Sequence, residues 1–179
     1  MDTLENQECP FCHKKAVTIQ EDQKDIPFFG KTYLFSMNCS ECKFFKADVE
    51  SAETKDPVKC TFMIENEKDM KVRVVKGSEA TVKISQLKME VTPGPASNGY
   101  ITNIEGVLNR FEKIIKDEKE DAEDDSVKKH AKVLLKKLWK IKLGELPLKV
   151  VIEDPSGNSA IISEKTIVER LKVSGKKMK

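Results

Sequence analysis

Apolar and polar residues alternate in short runs along most of the chain, and only one stretch changes to a longer period. "AVTIQ" (16–20) and "KTYLFSMN" (31–38) predict two strands, joined by the turn-rich "EDQKDIPFFG" (21–30). "ADVESAETKDPV" (47–58) is polar and poor in apolar residues and carries Asp56-Pro57 near its end, which predicts a connector. "CTFMIE", "MKVRVVKG", "ATVKIS" and "LKMEV" follow in quick succession. In the second of these, Val72 and Val74 share one face, with Arg73 and Val75 on the other; in the fourth, Leu87, Met89 and Val91 share a face. Gly77-Ser78 and the Pro/Gly-rich "TPGPASNG" break the series. Short, half-buried strands at this spacing predict an all-β sandwich or a jelly-roll-like barrel.

From Thr102 to about Glu120 the apolar positions (Ile104, Val107, Leu108, Phe111, Ile114, Ile115) take helical spacing. A second helix is predicted from about Asp125 to Leu143, with Val127, Ala131, Leu134, Leu135, Leu138, Trp139 and Ile141 on its apolar face. The acidic "KDEKEDAEDD" reads as the turn between them, with Asp124 and Asp125 where carboxylates favour a helix start. Strand patterning returns in "LPLKVVIE" and "NSAIIS", and the "DPSG" between them (154–157) has the residues of a type I turn with a glycine bulge, predicting a β-hairpin. The whole is an α+β pattern: a β-domain over 51–179, with a helical hairpin at about 102–143 inserted into it or packed on its edge.

Charged residues make up 35% of the chain, yet the net charge is only +2, so the lopsided charge of a histone-like protein is excluded. No apolar run approaches the roughly 18 residues of a membrane span, and the acidic "MDTLENQE" has no apolar core of a signal peptide. A reducing cytoplasmic setting, with no membrane, is the expectation. In such a setting paired cysteines serve as metal ligands or redox groups rather than structural disulfides.

Cys9 and Cys12 form one C-x-x-C pair, and Cys39 and Cys42 a second, 26 residues on. Two tight turns, each offering two thiolates, suit a single tetrahedral zinc ion. The two predicted strands account for the long spacing, giving a zinc ribbon over 1–50. A thioredoxin-like redox pair would need one dominant C-x-x-C at a strand-to-helix junction, whereas both pairs here flank strands. His13, beside Cys12, is a further ligand candidate, and Cys60 reads as a small strand residue. Four thiolates leave no open coordination position, so the expected Zn2+ is structural. With only His13 and His130 available and no nucleophile set or phosphate loop, no enzymatic site is expected. The second helix carries seven lysines from Lys128 to Lys142 and no acid. Lysines on the solvent side of an amphipathic helix are ordinary. With Trp139 assigned to the apolar face, nothing there is arranged for base stacking, which argues against a nucleic-acid partner. A nucleic-acid-binding zinc ribbon in transcription or translation is the alternative reading.

"CPFC", "DIPFFGKTYLFSMNCSEC", "DMKVRVVKGSEATVKISQLKMEV", "TNIEGVL" and "EDPSGNSAI", in this order, resemble the ZPR-type zinc-finger family, in its single-unit, archaeal-like form. The resemblance runs from Cys9 to about Ile162. It implies a four-cysteine zinc finger followed by a double-stranded β-helix (jelly-roll-like) domain with a helical hairpin. It also implies a non-enzymatic role as an adaptor or chaperone that binds the GTPase translation elongation factor 1-alpha. Lys43 stands where the family usually has glycine. Phe28, Phe29, Phe44 and Phe45 are candidates for an apolar contact patch, or else for the ribbon's own core. Glu105, Asp154 and Asn158 belong to the resembling motifs and form either a polar contact surface or structural features of a helix start and a turn. Two surfaces tethered by the 47–58 connector would gain affinity through effective concentration.

Overall fold

A computed structural model describes residues 1–27 and 29–172. Phe28 and the basic "GKKMK" end lie outside the described residues. Four antiparallel strands, β1 (Asp2–Glu8), β2 (Lys15–Ile26), β3 (Gly30–Cys39) and β4 (Phe45–Ser51), form the first sheet in the order β1-β2-β3-β4. β2 and β3 pair from Val17↔Cys39 out to Ile26↔Gly30, so most of the segment expected to be turn is strand. β1 was not foreseen, because all seven of its residues are exposed and only backbone pairing marks it as a strand. Nor is 47–58 a connector throughout: its first five residues complete β4, which pairs with β3 from Thr32↔Ser51 to Asn38↔Phe45.

The second unit is a jelly-roll sandwich. β5 (Val58–Ile64), β7 (Thr81–Ile84), β8 (Met89–Val91), β10 (Leu148–Asp154) and β12 (Ile167–Arg170) form one antiparallel sheet in the order β12-β5-β10-β7-β8. β6 (Arg73–Lys76), β9 (Tyr100–Asn103) and β11 (Ala160–Ile162) form the other, in the order β11-β6-β9. Helices α1 (Ile104–Asp121) and α2 (Asp125–Lys142) are inserted between β9 and β10. Both start on a side-chain cap: Gly106 N–H donates to Asn103 Oδ1 at 2.8 Å, and Ser126 N–H to Asp124 Oδ1 at 2.7 Å. Phe62, Ile84, Val150 and Ile152 of the sheets and Leu108, Phe111, Ile115 and Leu138 of the helices belong to one buried core. The acidic segment is mostly the last turns of α1, which leaves only 122–124 between the helices.

Four local expectations are revised. Leu87 sits in a single 3-10 turn (Ser85–Leu87) before β8, and of the supposed shared face only Leu87 is buried. Val72 and Val74 share the face toward the jelly-roll core, as their spacing predicts, but Val75 on the opposite face is also fully buried, packed with Ile26 and Val49 of the first sheet, so the strand is covered on both faces rather than half-buried. Gly157 N–H does bond to Asp154 O, and Gly157 has φ +76°, so the DPSG turn forms, but not as a hairpin. β10 already has β5 and β7 on its two edges, so β11 crosses to pair with β6 in the opposite sheet. Trp139 leaves the apolar face, being 59% exposed, because the inward arc of α2 is centred on Ala131, Leu138 and Ile141.

The two units are docked rather than tethered. β4 presents its backbone to the jelly roll: Ala47 N–H donates to Asn98 Oδ1 (2.8 Å), Gly99 N–H to Ala47 O (3.0 Å) and Ser51 N–H to Asn158 Oδ1 (2.9 Å). Asp48 Oδ1 accepts from Ser78 N–H at 3.0 Å. Gly99 makes the approach possible, since a Cβ there would stand 2.7 Å from Val49 N.

Candidate metal centre

The β1–β2 and β3–β4 connections carry the two cysteine pairs to the same end of the first sheet, and they are built alike. In the first, Cys9 N–H donates to Lys14 O and His13 N–H to Cys9 O, both at 2.9 Å; in the second, Cys39 N–H donates to Phe44 O (2.9 Å) and Lys43 N–H to Cys39 O (3.2 Å). Each turn reverses through a left-handed residue directly after its second cysteine, His13 at φ +59° and Lys43 at φ +61°. Ser40 N–H bonds to Ala16 O at 3.0 Å, joining one turn to the other.

The four Sγ atoms lie within 4.8 Å of one another, with Cys9 to Cys42 at 3.6 Å and Cys12 to Cys39 at 3.8 Å. A tetrahedron with Zn–S bonds of about 2.3 Å has edges of about 3.8 Å. Disulfide sulfurs would approach to about 2.0 Å. The sulfurs therefore have the spacing of ligands to one ion, and Cys9, Cys12, Cys39 and Cys42 are positioned to bind one zinc.

The electrostatics agree. Burial pulls the Cys9 thiol up, but the N–H groups of Cys12 and Phe11 and the neighbouring sulfurs outweigh it and lower it to about 6. The Phe44 N–H favours the Cys42 thiolate, yet lost hydration and the three adjacent sulfurs push that thiol up to about 12. Four sulfurs this close can all ionise only around a cation. The His13 side chain is exposed and turns to Glu8, 3.6 Å away, outside the sulfur set. Cys60 is buried in β5, opposite Ile152, far from any ligand role.

Left-handed backbone costs a residue with a Cβ about 1–2 kcal/mol, of which glycine's extra chain entropy cancels about half. Lys43→Gly is therefore expected to stabilise the zinc-loaded protein by about 0.5–1 kcal/mol, raising Tm by about 2 °C. An unchanged or lower Tm contradicts a strained turn.

Of the candidate contact residues, Phe45 is 53% exposed, while Phe44 is half-buried against the cysteine cluster. Phe29 packs into the seam between the two units, with Lys55 Nζ 3.4 Å over its ring. Phe11, between the first two ligands, was not singled out from sequence; it is 77% exposed and its ring stacks on Phe44 at 6.1 Å. An aromatic inside a metal turn has little core to reach, and that is the signal that could have marked it. Glu105 is exposed on the first turn of α1.

Asp154 is fully buried, which removes it from any contact surface. Its carboxylate accepts from Ser156 N–H (2.8 Å), Ser156 Oγ (2.6 Å) and Ser159 Oγ. Asn158 is half-buried and holds β4 through Ser51. Both residues build the corner that seats the ribbon.

The chain matches the model of the ZPR1 zinc-finger domain over residues 3–57 and that of the ZPR1 jelly-roll domain over 68–175. An uncharacterized ZPR1-like protein of Methanocaldococcus jannaschii is 38% identical over 92% of this chain and 83% of its own length. A similar protein of Pyrococcus horikoshii is 36% identical over 92% and 75%. The zinc finger chaperone zpr1 of Schizosaccharomyces pombe is 31% identical over 76% of this chain, which spans only 30% of that longer protein. With both domain models matched in order and the four sulfurs gathered at one point, the chain belongs to the ZPR1 zinc-finger family.

Proposed function

We propose that the chain is a zinc-fastened protein-binding module of the cytoplasm, an adaptor or chaperone for translation elongation factor 1-alpha, and that it binds its partner without turning over a substrate. The observation that carries this reading is the exposed aromatics on the metal turns: Phe11 stacked on Phe44, and Phe45, the next residue along the chain, 53% exposed. A closed sulfur site offers no place for a substrate, but it holds two large apolar side chains rigidly in water. Exposed aromatics on a preorganised support are characteristic of binding hot spots. The fission-yeast relative is named a chaperone, which supports a protein partner. The family resemblance supplies the elongation factor as the partner to test. Glu105, on the jelly-roll side, is a second candidate contact.

Calorimetric titration of the zinc-loaded protein with the GDP- and GTP-loaded factor tests this. Phe11→Ala with Phe45→Ala is expected to weaken binding at least tenfold, about 1.4 kcal/mol or more, with zinc content and Tm unchanged. No binding of the unaltered protein in either nucleotide state overturns the reading.

A further inference from the structure

On the outer arc of α2, Lys132, Lys136 and Lys140 recur every fourth residue, with Lys129 beside them, and Trp139 stands in the same arc. At 100° per residue these five positions span about 100° of the helix surface, and successive lysines of the ridge are about 6 Å apart along it. Trp139 is 59% exposed, an unusual placement for the chain's single tryptophan. Lys140 reaches Glu145 at 3.9 Å, and Lys142, on the inner side, pairs with Glu112. Among the described residues no carboxylate oxygen lies within 4 Å of the ammonium groups of Lys129, Lys132 or Lys136. Three of the four lysines on this face therefore have no ion-pair partner among the described residues, with a planar ring among them and Asp125 the one acid on the same arc, a turn before Lys129.

We propose that this face of α2 binds a single strand of nucleic acid, the lysines tracking the phosphates and Trp139 stacking a base. Charge complementarity requires a polyanion, and the ridge spacing is close to that of phosphates along an extended strand. The indole selects among polyanions. An acidic protein segment engages lysines and leaves an exposed ring unused, whereas every base has a face to stack on it. An anionic membrane would need a continuous apolar stripe to embed; the stripe of α2 centred on Ala131, Leu138 and Ile141 is buried, and Val127, Val133 and Trp139 are the helix's exposed large apolar side chains. The site is separate from the aromatic patch on the metal turns, so partner binding there and strand binding here are independently testable.

Because Trp139 is the only tryptophan, its fluorescence reports the contact directly. The full-length, zinc-loaded protein is titrated with a twelve-nucleotide oligouridylate at 50 and 200 mM salt. Saturable quenching is expected, with affinity falling about 50-fold across that salt range for four phosphate contacts. Trp139→Ala, followed by anisotropy of labelled RNA, is expected to weaken binding about tenfold. Lys132→Gln with Lys136→Gln is expected to lower the salt slope by about 1.4. These are surface substitutions, and unchanged circular dichroism checks that the fold is kept. Absence of quenching at 50 mM salt overturns the proposal, as does Trp139→Ala binding as tightly as the unaltered protein. So does a polyglutamate peptide of equal charge that binds and quenches as well as the RNA.

Discussion

Cys39→Ser is expected to abolish stoichiometric zinc binding and to unfold the β1–β4 sheet. Cys39 is fully buried, and the core around it consists of Cys9, Val17 and Cys39, flanked by a few half-buried side chains such as Ile19 and Met37. Even with Ile26 and Val49 buried in the seam, so few buried apolar side chains cannot offset the chain entropy of ordering four strands, and the ion must supply most of the folding free energy. Structural zinc typically contributes about 10–16 kcal/mol at neutral pH, far more than any side chain in this sheet. The jelly roll has its own core and survives, at a lower melting temperature because Val75 loses its cover of Ile26 and Val49. Elemental analysis is expected to give one zinc per chain in the unaltered protein and well under one in the variant, with protease cutting confined to the first unit. A strong chelator should reproduce the effect. A Cys39→Ser chain that keeps both a full zinc and a protected ribbon contradicts the account, as does a cobalt-substituted protein whose spectrum shows fewer than four sulfurs.

The second large loss is expected at the corner that closes β10. Asp154→Ala should destabilise the jelly roll by about 3–5 kcal/mol, the range for removing one member of a buried charged network. Three donors lose their acceptor: Ser156 N–H, Ser156 Oγ and Ser159 Oγ. Ser159 Oγ is itself the acceptor for Gly77 N–H at 2.9 Å, so the β6–β7 turn loosens as well. Nearby Lys76 is also buried; burial draws its ammonium below the usual lysine range, and the charges of Asp154 and Asp48 oppose that pull. Removing Asp154 leaves Lys76 less compensated. Asp154→Asn keeps the volume and one acceptor and should lose less. Urea unfolding of the zinc-loaded protein measures both, and a loss under about 1 kcal/mol for Asp154→Ala would show the network to be dispensable.

The metal ligands were legible in sequence because spacing alone brings two short turns to one ion, whatever surrounds them. The helices were legible for a related reason: capping and a 3.6-residue period act within one element. What stayed hidden was decided by neighbours distant in the chain. β1 carries no apolar alternation, since it is held by its pairing with β2 alone. The alternation puts Val75 on the face opposite Val74 but does not tell what covers that face, because the ribbon docks there from elsewhere. The DPSG turn was read correctly as a turn, but which strand follows it depends on edges that β5 and β7 had already filled. Trp139 was misplaced because spacing gives the centre of an apolar arc better than its width. Phe29 is a contact-patch candidate by sequence, yet it belongs to the seam between the units.

That seam also sets how the molecule can recognise anything larger than itself. With β4 bonded to Asn98, Gly99 and Asn158, the aromatic tip at the metal end and the exposed start of α1 keep a fixed separation and angle, like the jaws of a locked caliper. Under the proposed function, a multidomain client that touched both jaws would do so in one posture only. The free energy of the second contact then goes wholly into favouring that posture.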